Sequence, residues 1–328
     1  MFDVPILLLV WRRADLVSTQ LAILRRIKPS LLFVSCDGPR DNDPISEEQV
    51  ARVRSTLENE IDWQCNVVKR FNAINMGCKT AIIEALGWFF ENVDEGIILE
   101  DDCIPDEDFF LFCKELLDKY RFKANVYSIG GFNPIENRIN PQYNFAFTSI
   151  PLIWGWATWK RSWINLRMTI DWLESSSYFQ RLYMLTKSIG FNLRTMYWSN
   201  VLYQLVDKKN IDTWDYQNTM SCLFSNSCHI VPVCSIISNL GIDQLPTHSS
   251  SITSAQSAKI GLPRLPSPSI ISLDRNLDQR IFTEVFVRSH KQSLAIILRW
   301  IFLTISCFAN SIISCIRSNW GVLFRFRA

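Results

Sequence analysis

Three consecutive acids, Glu100-Asp101-Asp102, follow directly on the apolar run Gly96 to Leu99. A short apolar run bounded by polar residues reads as a buried strand, and in open α/β sheets ligands sit beyond the carboxyl ends of the strands. Carboxylates in that place suit a divalent cation, which takes oxygen ligands and neutralises adjacent phosphates as a bond to them breaks. Side chains alternate on an extended segment, so Glu100 and Asp102 would point one way and Asp101 the other. An isolated Glu-Asp-Asp more often opens a solvated loop. Here Cys103-Ile104-Pro105-Asp106 and the apolar helix behind it read as a structured turn.

The elements that must position this triplet are legible along the first 130 residues. Ile6 to Trp11 reads as a first strand, too short for a membrane span and without the flanks of a cleaved leader. A helix from Asp15 to Ile27 places Leu16, Ala22, Ile23 and Ile27 on roughly one face, and Lys28-Pro29 stops it. Leu31 to Ser35 is a second strand. A polar stretch then leads to a helix over Glu47 to Asn59, and Trp63 to Lys69 is a third strand. Met76 to Asn92 is helical before the strand that carries the triplet. Phe109 to Tyr120 is a further helix and Val126 to Ile129 a further strand, ending at Gly130-Gly131. This alternation is the βαβ pattern of a mostly parallel sheet. Beyond it, strands are hard to place among the many aromatics.

With 328 residues, 48% of them hydrophobic, the chain has ample material for a large α/β core. Lys and Arg number 34 against 32 acids, so no overall field marks nucleic acid as a partner. Ten cysteines without a Cys-x-x-Cys pair argue against a zinc ribbon or a disulfide scaffold and suit a reducing, cytoplasmic setting. Residues 249–272 are rich in Ser, Pro and Leu and read as a linker between a catalytic domain over 1–248 and a tail over 273–328. Within the tail, residues 294–316 form an apolar stretch interrupted by Arg299 and Asn310 and followed by Arg317, Arg325 and Arg327. It is long enough to cross a bilayer, yet a buried Arg is costly there. A helix lying on the inner face of a membrane, a span and a packed helix all remain open.

The stretch Gly96 to Pro105, followed by Phe109-Phe110, closely resembles the Glu-Asp-Asp region of GT-A transferases similar to animal N-acetylglucosaminyltransferase I. It also resembles a bacterial family of nucleotide-diphospho-sugar transferases, some of whose members are labelled hemolytic-protein-like. Further matches to that family follow in order: Trp11 to Asp15, Cys36 to Arg40, Asn75 to Cys78, Ile153 to Trp159, Asp212 to Gln217, Asn239 to Gly241, and Thr247-His248. The resemblance spans residues 4 to about 250 and does not reach the tail. In the family the first motif usually reads Asn-Arg-Pro-Asp, whereas this chain has Arg12 and Ala14 in place of the Asn and Pro.

The resemblance implies a GT-A type, Rossmann-like sheet flanked by helices. It also implies a glycosyltransferase, of hexosyl or N-acetylhexosaminyl type, that uses Mn²⁺ or Mg²⁺ to move a sugar from a nucleotide diphosphate. UDP is the usual companion of such a motif, and a glycan, lipid-linked or protein hydroxyl would be the acceptor. Asp102 is then the metal ligand, with His248 a second ligand or a diphosphate contact, and Glu100 and Asp101 meet ribose, sugar or metal-bound water. Asp37 would hold the nucleoside, or else form an Asx turn. Arg13 would neutralise phosphate or brace the base. Asn75 and Gly77 lead a helix whose early amides and Lys79 could meet phosphate or sugar, with a plain N-cap as the rival.

If the reaction inverts the anomeric centre, a carboxylate must take the acceptor's proton. Asp215, between Trp214 and Tyr216, fits that role, and Asp212 is the alternative; capping of a helix there is the structural rival. Trp154 and Trp156 could wall the acceptor sugar, although twelve tryptophans make core packing equally suitable. A nucleotidyltransferase would use similar acids but usually shows a Gly-rich loop after strand one, and none stands between Trp11 and Asp15. A non-catalytic membrane-active or glycan-binding protein is the other rival; the retained acids favour an enzyme.

Overall fold

The computed structural model describes residues 1–135, 143–240, 266–287 and 289–325. By contact the chain forms two compact units. The first is residues 1–170 with 212–285, and the second is 171–211 with 286–328.

The first unit is built on an eight-stranded sheet in the order β3-β2-β1-β4-β8-β6-β9-β7. Its strands are β1 (Ile6–Val10), β2 (Leu31–Cys36), β3 (Asn66–Phe71), β4 (Glu95–Glu100), β6 (Val126–Gly130), β7 (Phe145–Thr148), β8 (Trp156–Trp159) and β9 (Cys228–Pro232). β5 (Cys103–Pro105) pairs antiparallel with β10 (Ile237–Asn239) in a small second sheet. β3, β2, β1 and β4 are mutually parallel, and so are β6 and β9. β8 is inserted antiparallel between β4 and β6, and β7 closes the edge antiparallel to β9. The result is a mostly parallel, Rossmann-like α/β sheet flanked by helices.

Why the first strands are apolar on both sides follows from that layering. Alternate residues of β1 enter two different cores. Ile6, Leu8 and Val10 pack with Val17, Leu21 and Leu24 of α1 (Ala14–Ile27) and with Phe109 and Phe110 of α4 (Glu107–Tyr120). Val50, Val53 and Leu57 of α2 (Pro44–Asn59) complete that side. Leu7 and Leu9 face the other way, onto Ile82, Leu86 and Phe89 of α3 (Cys78–Asn92) and Leu166 of α5 (Lys160–Ser175).

The segment that the sequence leaves unassigned after Gly131 supplies β7, β8 and β9. Its β8 lies inside the Ile153 to Trp159 motif and contributes Trp156 and Trp159 to the core. α8 (Asp215–Phe224) precedes β9. α9 (Arg275–Phe282) belongs to this unit as well: buried Asp278 accepts hydrogen bonds from Thr148 Oγ1 at 2.6 Å, from Ser149 N at 2.8 Å and from Ser149 Oγ at 2.5 Å.

The second unit is helical. α6 (Tyr178–Ile189) opens with a capping box from Ser177 and Gln180. α7 (Leu193–Leu202) runs on into a π-helical turn at 203–207. α10 (His290–Arg325) is the apolar C-terminal helix, and its stretch His290–Asn310 is long and apolar enough to cross a membrane. Buried Arg181 donates to the carbonyls of Leu173 and Ser176 and pairs with Asp207.

Candidate functional site

A crevice of about 380 Å³ opens at the carboxyl ends of β1, β2 and β4. Its walls bring together Arg13, Asp37, Asn75, Gly77, Glu100, Asp101, Asp102 and Asp212, which lie on five separate stretches of chain. Lys79, Trp154, Trp156 and Asp215 are not among its lining residues. His248 falls outside the described residues. β10 ends beside the triplet: Asn239 pairs with Cys103, and the Leu240 amide donates to the Asp102 carbonyl at 2.9 Å.

The turn that carries the acids is pinned from below. Gln20 of α1 is completely buried, and its Nε2 donates to the carbonyls of Glu100 at 2.6 Å and Cys103 at 2.7 Å. A glutamine on the otherwise apolar buried face of the helix was the one signal in the sequence for this role. Arg13 Nη1 lies 2.9 Å from both Asp101 Oδ1 and Asp102 Oδ2. As folded, Arg13 therefore neutralises the protein's own acids.

That single cation faces an excess of negative charge. Burial raises the carboxyl of Glu100 well above the usual range, with Asp102, Asp101 and Asp215 adding and Arg13 opposing. Burial lifts Asp101 to about 6 against the pull of Arg13, with Asp102 adding. For Arg13 itself burial disfavours the charge, and the two aspartates more than offset it. Cys78, the first residue of α3, is pushed up to about 12 by burial and then by Glu100, Asp212, Asp215 and Asp102. Because Cys78 is exposed by area, the four carboxylates are the more telling part of that shift. Glu100, Asp102 and the two later aspartates thus all push this thiol the same way. Among the described residues no three Asp, Glu, His or Cys side chains converge as a preformed metal cage.

Asp37, at the end of β2, uses both oxygens inside the protein. Oδ1 accepts from Asn72 Nδ2 at 3.0 Å, Oδ2 accepts from Asn75 Nδ2 at 2.9 Å, and the Met76 amide bridges the two at 3.1 Å each. The Asn75 amide group also donates to the Gly38 carbonyl at 3.1 Å. This close approach requires glycine, since a Cβ on Gly38 would lie 2.3 Å from the Ile74 carbonyl carbon. Asp37 and Asn75 thereby shape the turn into Gly77, which has φ of 77° and is the N-cap of α3.

The crevice is also lined by Trp11, Arg12 and Arg40, a basic and aromatic group that lies in the Trp11 to Asp15 and Cys36 to Arg40 motifs but to which the sequence assigned no role. Trp11 Nε1 donates to the Gly38 carbonyl at 3.0 Å, with the guanidinium groups of Arg12 at 4.4 Å and Arg40 at 4.9 Å from its ring centre. Neither arginine has a carboxylate partner among the described residues, so these cations remain available to an anion.

The two later aspartates differ in setting. Asp212 is exposed and lines the crevice, its Oδ2 only 3.1 Å from where a Cβ on Gly77 would stand. Asp215 begins α8, and its Oδ1 accepts from the Thr213 hydroxyl and from the Tyr216 amide at 2.9 Å. Trp154 is half-buried against Phe132, ring centres 4.4 Å apart. Trp156 is only 3% exposed and stacks on Trp214, so as folded it offers no face to a sugar.

No protein-family model matches the chain, and no curated protein matches it. Among solved structures, a cytidylyltransferase from Leptospira borgpetersenii serovar Hardjo-bovis (strain JB197) is similar with a TM-score of 0.28 and 10% identity. The match covers 51% of this chain and 64% of that one, less than two thirds of its length.

Proposed function

We propose that the chain is a metal-dependent glycosyltransferase of GT-A type, moving a sugar from a nucleotide diphosphate, with UDP as the favoured nucleotide, to an acceptor hydroxyl. The observation that carries this reading is the crevice at the strand ends, which gathers the acids Glu100, Asp101, Asp102 and Asp212 together with Trp11, Arg12 and Arg40. The acids that line the crevice offer carboxylate oxygens, which suit Mg²⁺ or Mn²⁺, and they outnumber the one arginine paired with them. One or two of these carboxylates would share the cation with substrate phosphates. Asp102 is its proposed principal ligand, with His248 the candidate second. When bound, the cation would offset charge on the departing diphosphate.

The remaining roles fall to the chain's own side chains. Arg12 and Arg40 beside Trp11 would take the nucleotide, with Asp37 and Asn75 holding the turn beneath it. Glu100 would meet ribose or sugar hydroxyls, Trp154 is the candidate acceptor wall, and the first amides of α3, with Lys79 as a further candidate, would meet the diphosphate. In an inverting transfer the acceptor oxygen attacks the anomeric carbon, the bond to the diphosphate oxygen breaks with its electron pair, and the hydroxyl proton passes to a carboxylate. Asp212, exposed in the crevice, is the leading candidate for that base and Asp215 the second.

A nucleotidyltransferase would use the same acids, and the reaction product separates the two. The chain is incubated with Mn²⁺ and either UDP-sugars or a nucleoside triphosphate plus sugar 1-phosphate. Release of UDP, lowered about a hundredfold or more in Asp102→Asn and Asp212→Asn, supports the proposal. Pyrophosphate from the second mixture supports the rival reading instead. Equal UDP release by Asp102→Asn and the unmodified chain refutes the metal role.

A further inference from the structure

The helical unit carries a charge and a surface that the crevice does not use. Its segments, 171–211 and 286–328, hold eleven Lys and Arg against three acids, in a chain whose totals are 34 and 32. From 286 to the last residue there is no Asp or Glu at all. On α10, Leu294, Leu298, Ile301, Ile305, Phe308 and Ile312 are between 43% and 64% exposed. They recur at alternating steps of four and three, which sets them in one stripe along the helix. Phe302, 77% exposed, widens it.

The other side of α10 is already occupied by its own unit. Leu303 is buried, and Trp300 lies edge-on to Phe191 at 5.4 Å. The Thr304 and Tyr178 hydroxyls are 3.0 Å apart, and Asn200 donates to the Ile296 carbonyl. A bilayer crossing over this stretch would carry α7 and Arg299 into hydrocarbon, where charge and unpaired polar groups are costly. The helix is therefore shaped to lie along an apolar boundary.

A second helix and a lipid surface could each cover such a stripe. Seams that recognise a helix are flanked by charged residues that choose partner and register. Here the flanking positions are Ala295, Ile297, Phe302, Thr304, Ala309 and Ser311, all uncharged. An acid-free helix in a strongly basic unit is instead complementary to anionic headgroups. Beside the stripe a cavity of about 570 Å³ has apolar walls from Val201, Ile211, Ile296 and Leu303, and Lys208 and Arg299 also line it. No acid lines it. Neither cation has a carboxylate partner among the described residues, and Asp207, next in sequence to Lys208, is held by Arg181.

We infer that the helical unit binds the surface of an anionic bilayer, with α10 lying in the interface, a lipid tail entering the cavity and its phosphate held by Lys208 and Arg299. This stands independently of the reaction catalysed in the crevice. The test is sedimentation of the full chain with vesicles of phosphatidylcholine, alone or with phosphatidylglycerol. Binding is expected to the mixed vesicles, to weaken with salt, and to be lost in Ile301→Glu/Ile305→Glu, whose exposed positions leave the fold intact by circular dichroism. Lys208→Ala and Arg299→Ala should each weaken binding by about fivefold. Equal binding to both vesicle types, or binding unchanged in the double Glu variant, overturns the inference. Unchanged binding in both alanine variants overturns the phosphate site. A dimer in solution that the double Glu variant dissociates, without vesicle binding, identifies a second copy as the occupant.

Discussion

Acid should destabilise the first unit through one residue, His229 of β9, and the size of the effect follows from its setting. The imidazole is completely buried in the sheet. Its Nε2 is 3.2 Å from the Leu152 amide, which can only donate, so Nε2 must accept. Nδ1 then carries the hydrogen and donates to Ser128 Oγ at 2.8 Å. A second proton on Nε2 would confront an N–H with an N–H in a fully buried site, and burial depresses the pKa to about 3. The unfolded chain takes up that proton near the ordinary value of about 6.5. The stability is therefore present above 6.5 and is lost as the pH falls toward 3, at about 1.4 kcal/mol per pH unit. From pH 7 to pH 4 this amounts to roughly 3 kcal/mol. Urea unfolding followed by tryptophan fluorescence at several pH values would be compared for the unmodified chain and His229→Gln. Carboxylates affect both chains alike, so the difference isolates His229. His229→Gln should be the less stable protein at pH 7, where it lacks the two hydrogen bonds, and the gap should close by about 3 kcal/mol at pH 4. Curves that stay parallel across that range would refute a neutral, locked imidazole.

Two further outcomes test the site and the sheet beside it. Arg13→Met leaves Asp101 and Asp102 without their cation and should lower stability by about 2 kcal/mol, less than for a fully buried pair because Arg13 is 29% exposed. If the acids hold a metal, Mn²⁺ should raise the melting temperature of Arg13→Met more than that of the unmodified chain; equal shifts would count against it. Gly155 has φ of 60°, and a Cβ there would lie 1.8 Å from Cδ1 of Ile237, which is itself buried. Gly155→Ala should lose about 3 kcal/mol from overpacking and backbone strain together. Adding Ile237→Val should recover only the packing share, as chemical denaturation of the double variant would measure.

The strands β1 to β4 and β6 were legible from their short apolar runs, since a sheet covered on both faces demands such runs, as Ile6 to Val10 and Gly96 to Leu99 show, whereas β5 read only as a turn. The acids were legible for a related reason: a polar triplet that ends such a run must emerge at a strand end. Placing β7, β8 and β9 from sequence was harder, since Phe145 to Thr148 and Trp156 to Trp159 are aromatic segments of four residues with no periodicity of their own. Their partners, β9 for one and β4 with β6 for the other, lie far away in the chain.

By itself, then, the amino-acid order determined which segments must be buried and which carboxylates stand at a strand's end, because both depend on local alternation of apolar and polar residues. Only the tertiary structure decided that Arg13 spends its charge on Asp101 and Asp102, and that Gln20 anchors the acidic turn. It likewise decided that Asp212 joins that crevice while Trp156 retreats into the core. Those outcomes depend on which groups are brought within a few ångströms across tens or hundreds of residues, and no local pattern encodes such a distance.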